Sequence, residues 1–80
     1  MKIWILTKTN YFGEVLFLEV YTAPEKAQEV MRTDWDNEVK EAKEDEALEG
    51  AGCYKMDAFV NGGDDIAYEW NIFEREISQE

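Results

Sequence analysis

The sequence predicts a small α+β domain in which one long helix packs on a mainly antiparallel sheet. A charged segment with helical spacing, residues 22–49, lies between two pairs of short apolar runs rich in β-branched and aromatic residues. Turn-forming residues join each pair, at 10–13 and at 61–65, which is typical of hairpins. We therefore expect a two-layer β-β-α-β-β order, with two hairpins in one sheet, and a single domain over residues 1–80.

The first hairpin is predicted over residues 2–9 and 14–21, with Asn10-Tyr11-Phe12-Gly13 as its turn. The first strand is apolar on both faces, which is typical of a well-covered strand. The second strand alternates two sets of side chains. One set is Leu16, Leu18 and Val20, and the other is Val15, Phe17, Glu19 and Tyr21.

The helix is predicted to begin with a capping box at Thr22-Ala23-Pro24-Glu25, where Pro24 lacks an amide that would be unpaired in any case. It is either one helix over residues 23–48 or broken at Thr33-Asp34, where either residue could cap a second helix. One continuous helix would span about 39 Å and would therefore be longer than the strands. The apolar stripe that faces the sheet is predicted to comprise Ala23, Ala27, Val30, Met31, Trp35, Val39 and Ala42.

The second pair of strands is predicted at residues 53–60 and 66–77, after a helix-terminating turn at Gly50-Ala51-Gly52. The third strand is the most polar of the four, so we expect it at an edge of the sheet. The turn between these strands is Asn61-Gly62-Gly63-Asp64-Asp65, and Ser78-Gln79-Glu80 is expected to fray.

Charge is the strongest indication of function. The chain has 8 Lys+Arg against 19 Asp+Glu, a formal net charge of −11 and a pI near 4.3. Such a surface repels nucleic acids and anionic membranes and favours a basic protein partner. A role in solubility alone is the other interpretation. Residues 34–49 hold eight acids against two lysines, a local charge of −6, and these acids are the predicted partner-binding residues: Asp34, Asp36, Glu38, Glu41, Glu44, Asp45, Glu46 and Glu49.

Nothing in the sequence predicts catalysis, a metal or a cofactor. There is no His, the lone Cys53 has no activating neighbour, and Gly62-Gly63 is not followed by a helix that could receive a phosphate. Asp64-Asp65 lacks the alternating oxygen ligands of a calcium loop. We therefore expect a non-enzyme, and the single Cys and the short apolar runs favour a cytoplasmic chain without a membrane span.

Two aromatic residues, Tyr11 and Phe12, lie in the first predicted turn. Their rings either fold back over the hairpin or form a contact point for a partner, so both are included among the predicted partner-binding residues. The outer face of the sheet is a further candidate for partner contact or for homodimerisation.

Three stretches bear on the family: Lys2-Ile3-Trp4-Ile5-Leu6-Thr7, Val20-Tyr21-Thr22-Ala23-Pro24-Glu25-Lys26-Ala27 and Glu69-Trp70-Asn71-Ile72-Phe73-Glu74. They resemble small acidic proteins of phages and mobile elements in Gram-positive bacteria. Proteins in that setting are often inhibitors of host defence, including anti-CRISPR and DNA-mimic proteins. The resemblance implies a binding protein and transfers no site residues.

The leading hypothesis is an acidic inhibitor that occupies the basic, nucleic-acid-binding surface of a partner effector, with carboxylates in the place of phosphates. One alternative is a small-ligand-binding module with a pocket between helix and sheet, lined by Trp35 and Trp70. Another is an accessory domain whose partner recognises shape more than charge.

Overall fold

A computed structural model describes residues 1–63 and 66–78. Five antiparallel strands form one open sheet, and a single helix packs on one of its faces, which confirms the α+β class. The elements are β1 (Lys2–Thr9), β2 (Val15–Tyr21), α1 (Pro24–Glu44), β3 (Leu48–Cys53), β4 (Asp57–Gly62) and β5 (Ala67–Glu76). The predicted residues Asp64 and Asp65 of the second turn, and Gln79 and Glu80 of the tail, lie outside the described residues.

The strands are ordered β2-β1-β5-β4-β3, so the first and last strands of the chain form the centre of the sheet. In the β1–β5 pair, Leu6 lies opposite Ile72 on the helix side, and Ile5 lies opposite Phe73 on the outer side. β2 is one edge and β3 is the other. The prediction that the third strand is an edge was wrong, because β4, which replaces it, pairs with β5 on one side and β3 on the other.

β3 is the strand that the predicted order lacked. The helix was expected to reach residue 48 and the glycines at 50–52 to form a turn, but the helix ends at Glu44 and these glycines lie within a strand. Gly52 serves packing, because a Cβ added there would lie only 2.8 Å from the Phe59 ring. The strand predicted at 53–60 correspondingly begins at Asp57.

The helix is continuous through Thr33-Asp34. Its N-cap is Ala23, with extended backbone angles and no side-chain capping bond, so the capping box at Thr22 was wrong. Thr22 lies one residue too early to cap the first turn. Pro24 does occupy the beginning of the helix as expected.

The core forms between α1 and the covered face of the sheet. Leu6, Met31, Val60 and Trp70 are its largest fully buried side chains. Most of the predicted apolar stripe of α1 contributes, with Ala27, Met31, Val39 and Ala42 buried. The described elements include one helix on one face, so the outer face of the sheet carries no second layer.

We predict that Gly62→Ala destabilises the fold and Gly63→Ala does not. A Cβ at Gly62 would lie 2.8 Å from the Ala47 carbonyl oxygen, which accepts the Gly63 N–H at 2.9 Å. The nearest atom to a Cβ at Gly63 is 4.0 Å away, on the Glu49 carboxylate. Denaturant unfolding should show a loss of about 1–3 kcal/mol for Gly62→Ala alone. Equal losses for the two variants would contradict the proposed clash.

Candidate protein-binding surfaces

The eight predicted acids divide into two groups in the structure. Asp34 and Glu38 point toward the sheet and are half-buried. The other six are exposed: Asp36, Glu41, Glu44, Asp45, Glu46 and Glu49. Among residues 1–63 and 66–78, these six make no ion pair within 4.0 Å, so their charges face water.

Lys8 explains why Asp34 and Glu38 turn inward. This lysine, on the helix side of β1, is only 8% exposed. Its Nζ lies 2.9 Å from Asp34 Oδ2 and 3.7 Å from Glu38 Oε2, and it stands 4.7 Å from the centre of the Tyr68 ring. Trp70 Nε1 donates a second hydrogen bond to Asp34 Oδ2 at 2.9 Å. The cluster thus joins β1, β5 and α1, and its carboxylates already have partners within the fold.

Burial alters the acidity of Glu38. Desolvation raises the pKa of its carboxyl above the ordinary value of 4.5, Lys8 opposes this shift, and the neighbouring carboxylates Glu41 and Asp34 add to it. Glu38 also borders an open recess of about 170 Å³, together with Glu41, Asp45 and Tyr68.

A tight turn brings the exposed carboxylates together at one end of the helix. The Ala47 N–H donates to the Ala42 carbonyl at 2.9 Å and the Glu46 N–H to the Lys43 carbonyl at 3.1 Å. These two bonds form a Schellman motif, with Glu46 at its left-handed position, φ 54. The chain then reverses into β3. We name the residues Glu41, Glu44, Asp45, Glu46 and Glu49 the acidic end.

Tyr11 and Phe12 project from the β1–β2 turn into solvent. They are 61% and 71% exposed, and their rings meet edge to face with centroids 5.3 Å apart. The Asn10 side chain holds this turn, because its Oδ1 accepts the N–H groups of Phe12 and Glu14, each at 3.0 Å. The rings therefore do not fold back over the hairpin, and they remain candidates for partner contact.

The outer face of the sheet carries an apolar patch on β2 that was not among the predicted site residues. Leu16, Leu18 and Val20 are 47%, 57% and 54% exposed. Val20 lies opposite Ile5 of β1, and Ile5 lies opposite the exposed Phe73 of β5, so the patch continues across three strands. The alternation of Leu16, Leu18 and Val20 was visible in the sequence, but it did not indicate that this set lies on the uncovered face.

The two tryptophans predicted to line a ligand pocket instead contribute to packing. Trp70 is fully buried, and its indole N–H is bonded to Asp34. Trp35 is partly buried against the core and donates its indole N–H to the Phe59 carbonyl at 2.9 Å. Both rings therefore already have apolar and hydrogen-bonding partners within the protein.

Over the part of the chain that the structure describes, no helix is long and apolar enough to cross a membrane. The same residues bring together no group of three or more Cys, Asp or Glu side chains suited to hold a metal ion. Comparisons with protein-family models, with curated proteins and with solved structures find no match. The exposed surfaces themselves are therefore the best indication of function.

We predict that Glu46→Gly stabilises the protein. A non-glycine residue in the left-handed region costs about 1–2 kcal/mol, and a negative charge at a helix C-terminus adds to that cost. Allowing for the greater freedom of glycine in the unfolded chain, we expect the free energy of unfolding to rise by about 1 kcal/mol. Glu46→Gln removes the charge but keeps the side chain, so it should raise the free energy of unfolding less than Glu46→Gly does. If the two variants raise it equally, the charge and not backbone strain is the cause.

We predict that Glu38→Gln gains stability relative to the native protein as pH rises. A raised pKa means that the folded state holds the Glu38 proton more tightly than the unfolded state. This contribution to stability is complete below about pH 4.5, the unfolded value, and is lost as pH rises through the folded value. Urea unfolding at several pH values measures the difference. The variant Glu29→Gln controls for removal of one negative charge, because Glu29 is exposed on the same helix and does not contribute to the pKa shift of Glu38. A pH-independent difference for Glu38→Gln would contradict the shift.

Proposed function

We propose that this protein is a non-enzymatic inhibitor that binds a basic, normally nucleic-acid-binding surface of a partner protein. The observation that carries the proposal is the acidic end, whose five carboxylates are exposed and, within residues 1–63 and 66–78, unpaired. Arginine and lysine side chains that normally contact phosphates would contact these carboxylates instead, and arginine could do so through two parallel hydrogen bonds.

The helix backbone at the acidic end is also negatively polarised. The C-terminus of α1 carries the negative end of the helix dipole, so Glu44 and Asp45 add their charges to a partial negative charge. Like charges placed there raise the energy of the free protein. A basic partner would relieve that repulsion on binding.

The net charge of −11 would also speed association. Attraction between an acidic protein and a basic surface raises the rate of encounter, and salt reduces it within a Debye length of about 8 Å at physiological ionic strength. We therefore expect binding that is salt-dependent and displaced by DNA.

The alternative of a small ligand between helix and sheet has less support. A ligand would have to displace Trp70 from its fully buried position and from its bond to Asp34. The exposed acidic end needs no such rearrangement.

The test begins with the purified chain as bait in a bacterial lysate, at low and at high salt, followed by affinity measurements on the captured protein. Two triple variants remove equal charge at different places. One is Glu41→Gln, Glu44→Gln and Glu49→Gln at the acidic end, and the control is Glu25→Gln, Glu69→Gln and Glu74→Gln elsewhere on the surface.

We expect the acidic-end triple to weaken binding about tenfold or more and to reduce its salt dependence, because several charge-assisted contacts are lost together. The control should lose much less. Equal losses in the two triples would mean that only total charge matters. Binding unaffected by either triple, or by competing DNA, would overturn the proposal.

A further inference from the structure

We infer that β2 is a docking edge for an extended segment of the basic partner, in which apolar and basic residues alternate. This inference rests on the proposed function, because it names the part of the partner that would lie beyond the reach of the acidic end. β2 lies at one end of the sheet order and is paired on one side with β1.

The edge of β2 has few of the features that usually prevent strand addition. Exposed edges are commonly interrupted by lysine, proline or a short length. β2 has seven residues, Val-Leu-Phe-Leu-Glu-Val-Tyr, and contains neither Lys, Arg nor Pro. Pairing is irregular at both edges: between Leu48 and Gly50 in β3, and at Leu16 of β2, which has no partner between Lys8 and Thr9 of β1. The regularly paired part of β2 is therefore Phe17–Tyr21, which is rich in large apolar residues, whereas half of the β3 residues are glycine or alanine.

The outer side of this edge is apolar. Leu16, Leu18 and Val20 are each about half exposed. In an added strand, alternate side chains would lie beside Leu18 and Val20, which belong to the regularly paired part of β2, at the spacing of neighbouring strands. Ile5 and Phe73 extend the apolar surface behind them, so apolar residues of the added strand would gain contact without any movement of the sheet.

The helix side of the same edge is acidic. Glu19 is exposed there and accepts a hydrogen bond from the Tyr21 hydroxyl. Burial, reinforced by this contact with Glu19, raises the pKa of Tyr21 to about 12. A basic side chain from the added strand would therefore meet a carboxylate beside an uncharged phenol.

The helix adds to this acidity. Trp35 bonds to β4 and Asp34 to Lys8 of β1, so the flank of α1 that carries Asp34 faces the β2 half of the sheet. An open groove of about 270 Å³ on the helix is lined by Glu29, Val30, Thr33, Asp34 and Asn37. Long basic side chains that rise from a strand beside β2 would extend toward this groove.

Charge complementarity selects the occupant. A second copy of this chain would bring another −11 and another Glu19 to the same edge. An extended segment with alternating apolar and basic residues satisfies the outer and the helix side together, and its backbone pairs with the free edge of β2. Such a segment in the partner would bind in addition to the basic surface that the acidic end contacts.

The first probe is a capped peptide of alternating lysine and valine, about the length of β2. Amide exchange followed by NMR should show new protection of the β2 amides that point away from β1 when this peptide is added to the full chain. The same peptide with N-methylated backbone keeps its charge but cannot pair, so it should give no protection. A glutamate–valine peptide should also fail. Protection by the glutamate–valine peptide would overturn the requirement for a basic strand.

Two variants of equal charge locate the contact. Leu18→Lys should weaken binding of the lysine–valine peptide about tenfold, whereas Ser78→Lys, at an exposed position beyond β5, should change it little. Peptide-induced protection confined to the acidic end, with no effect of Leu18→Lys, would overturn the docking edge and leave the proposed function standing. Protection of the β2 amides that point away from β1 without peptide, together with a dimer in sedimentation, would assign the edge to a second copy instead.

The captured partner separates the two proposals. If the acidic-end triple weakens binding of the captured partner and Leu18→Lys does not, only the proposal of the docking edge is wrong. If neither variant affects its binding, the proposed function fails as well.

Discussion

The rest of the structure depends on the ammonium group of Lys8, which is enclosed between sheet and helix. A buried lysine must have a carboxylate partner, and Asp34, at 2.9 Å, is that partner. Trp70 shares the same carboxylate, so one oxygen fixes the position of α1 over both central strands. Apolar packing has little directional preference, whereas these two contacts of Asp34 favour one placement of the helix over the sheet.

Periodicity in the sequence was sufficient for the fold class, because apolar residues at helical and alternating spacings report which elements can cover one another. It was insufficient for β3, since closely spaced glycines usually mark a turn, whereas here Gly50 and Gly52 pair with Asn61 and Phe59 of β4. The order of the strands in the sheet could likewise not be predicted from the sequence. It is determined by pairing between β1 and β5, at opposite ends of the chain, and local sequence carries no record of that pairing.

The exposure of the acidic residues, like the fold, could be predicted only in part. Exposure of Asp36, Glu41 and Glu44 follows from helical spacing, but Asp34 and Glu38 lie at the border of the apolar stripe, where spacing does not decide between water and sheet. A signal was present in β1, where Lys8 continues the alternation of Trp4 and Leu6 and therefore shares their buried side. A lysine at such a position requires acids from another element. Which acids they are depends on how the helix crosses the sheet.

The negative charge of the protein and the unpaired edge of β2 have complementary effects on binding. Exposed ion pairs contribute about 0–1 kcal/mol each, so an acidic surface alone attracts basic proteins quickly but discriminates weakly among them. An apolar strand edge discriminates through backbone pairing and side-chain fit, yet it risks association between copies. The net charge of −11 reduces that risk, because approaching copies repel once they come within a Debye length of about 8 Å. A basic strand experiences attraction over the same distance. The charge that keeps β2 free of other copies would thus direct the proposed partner to it.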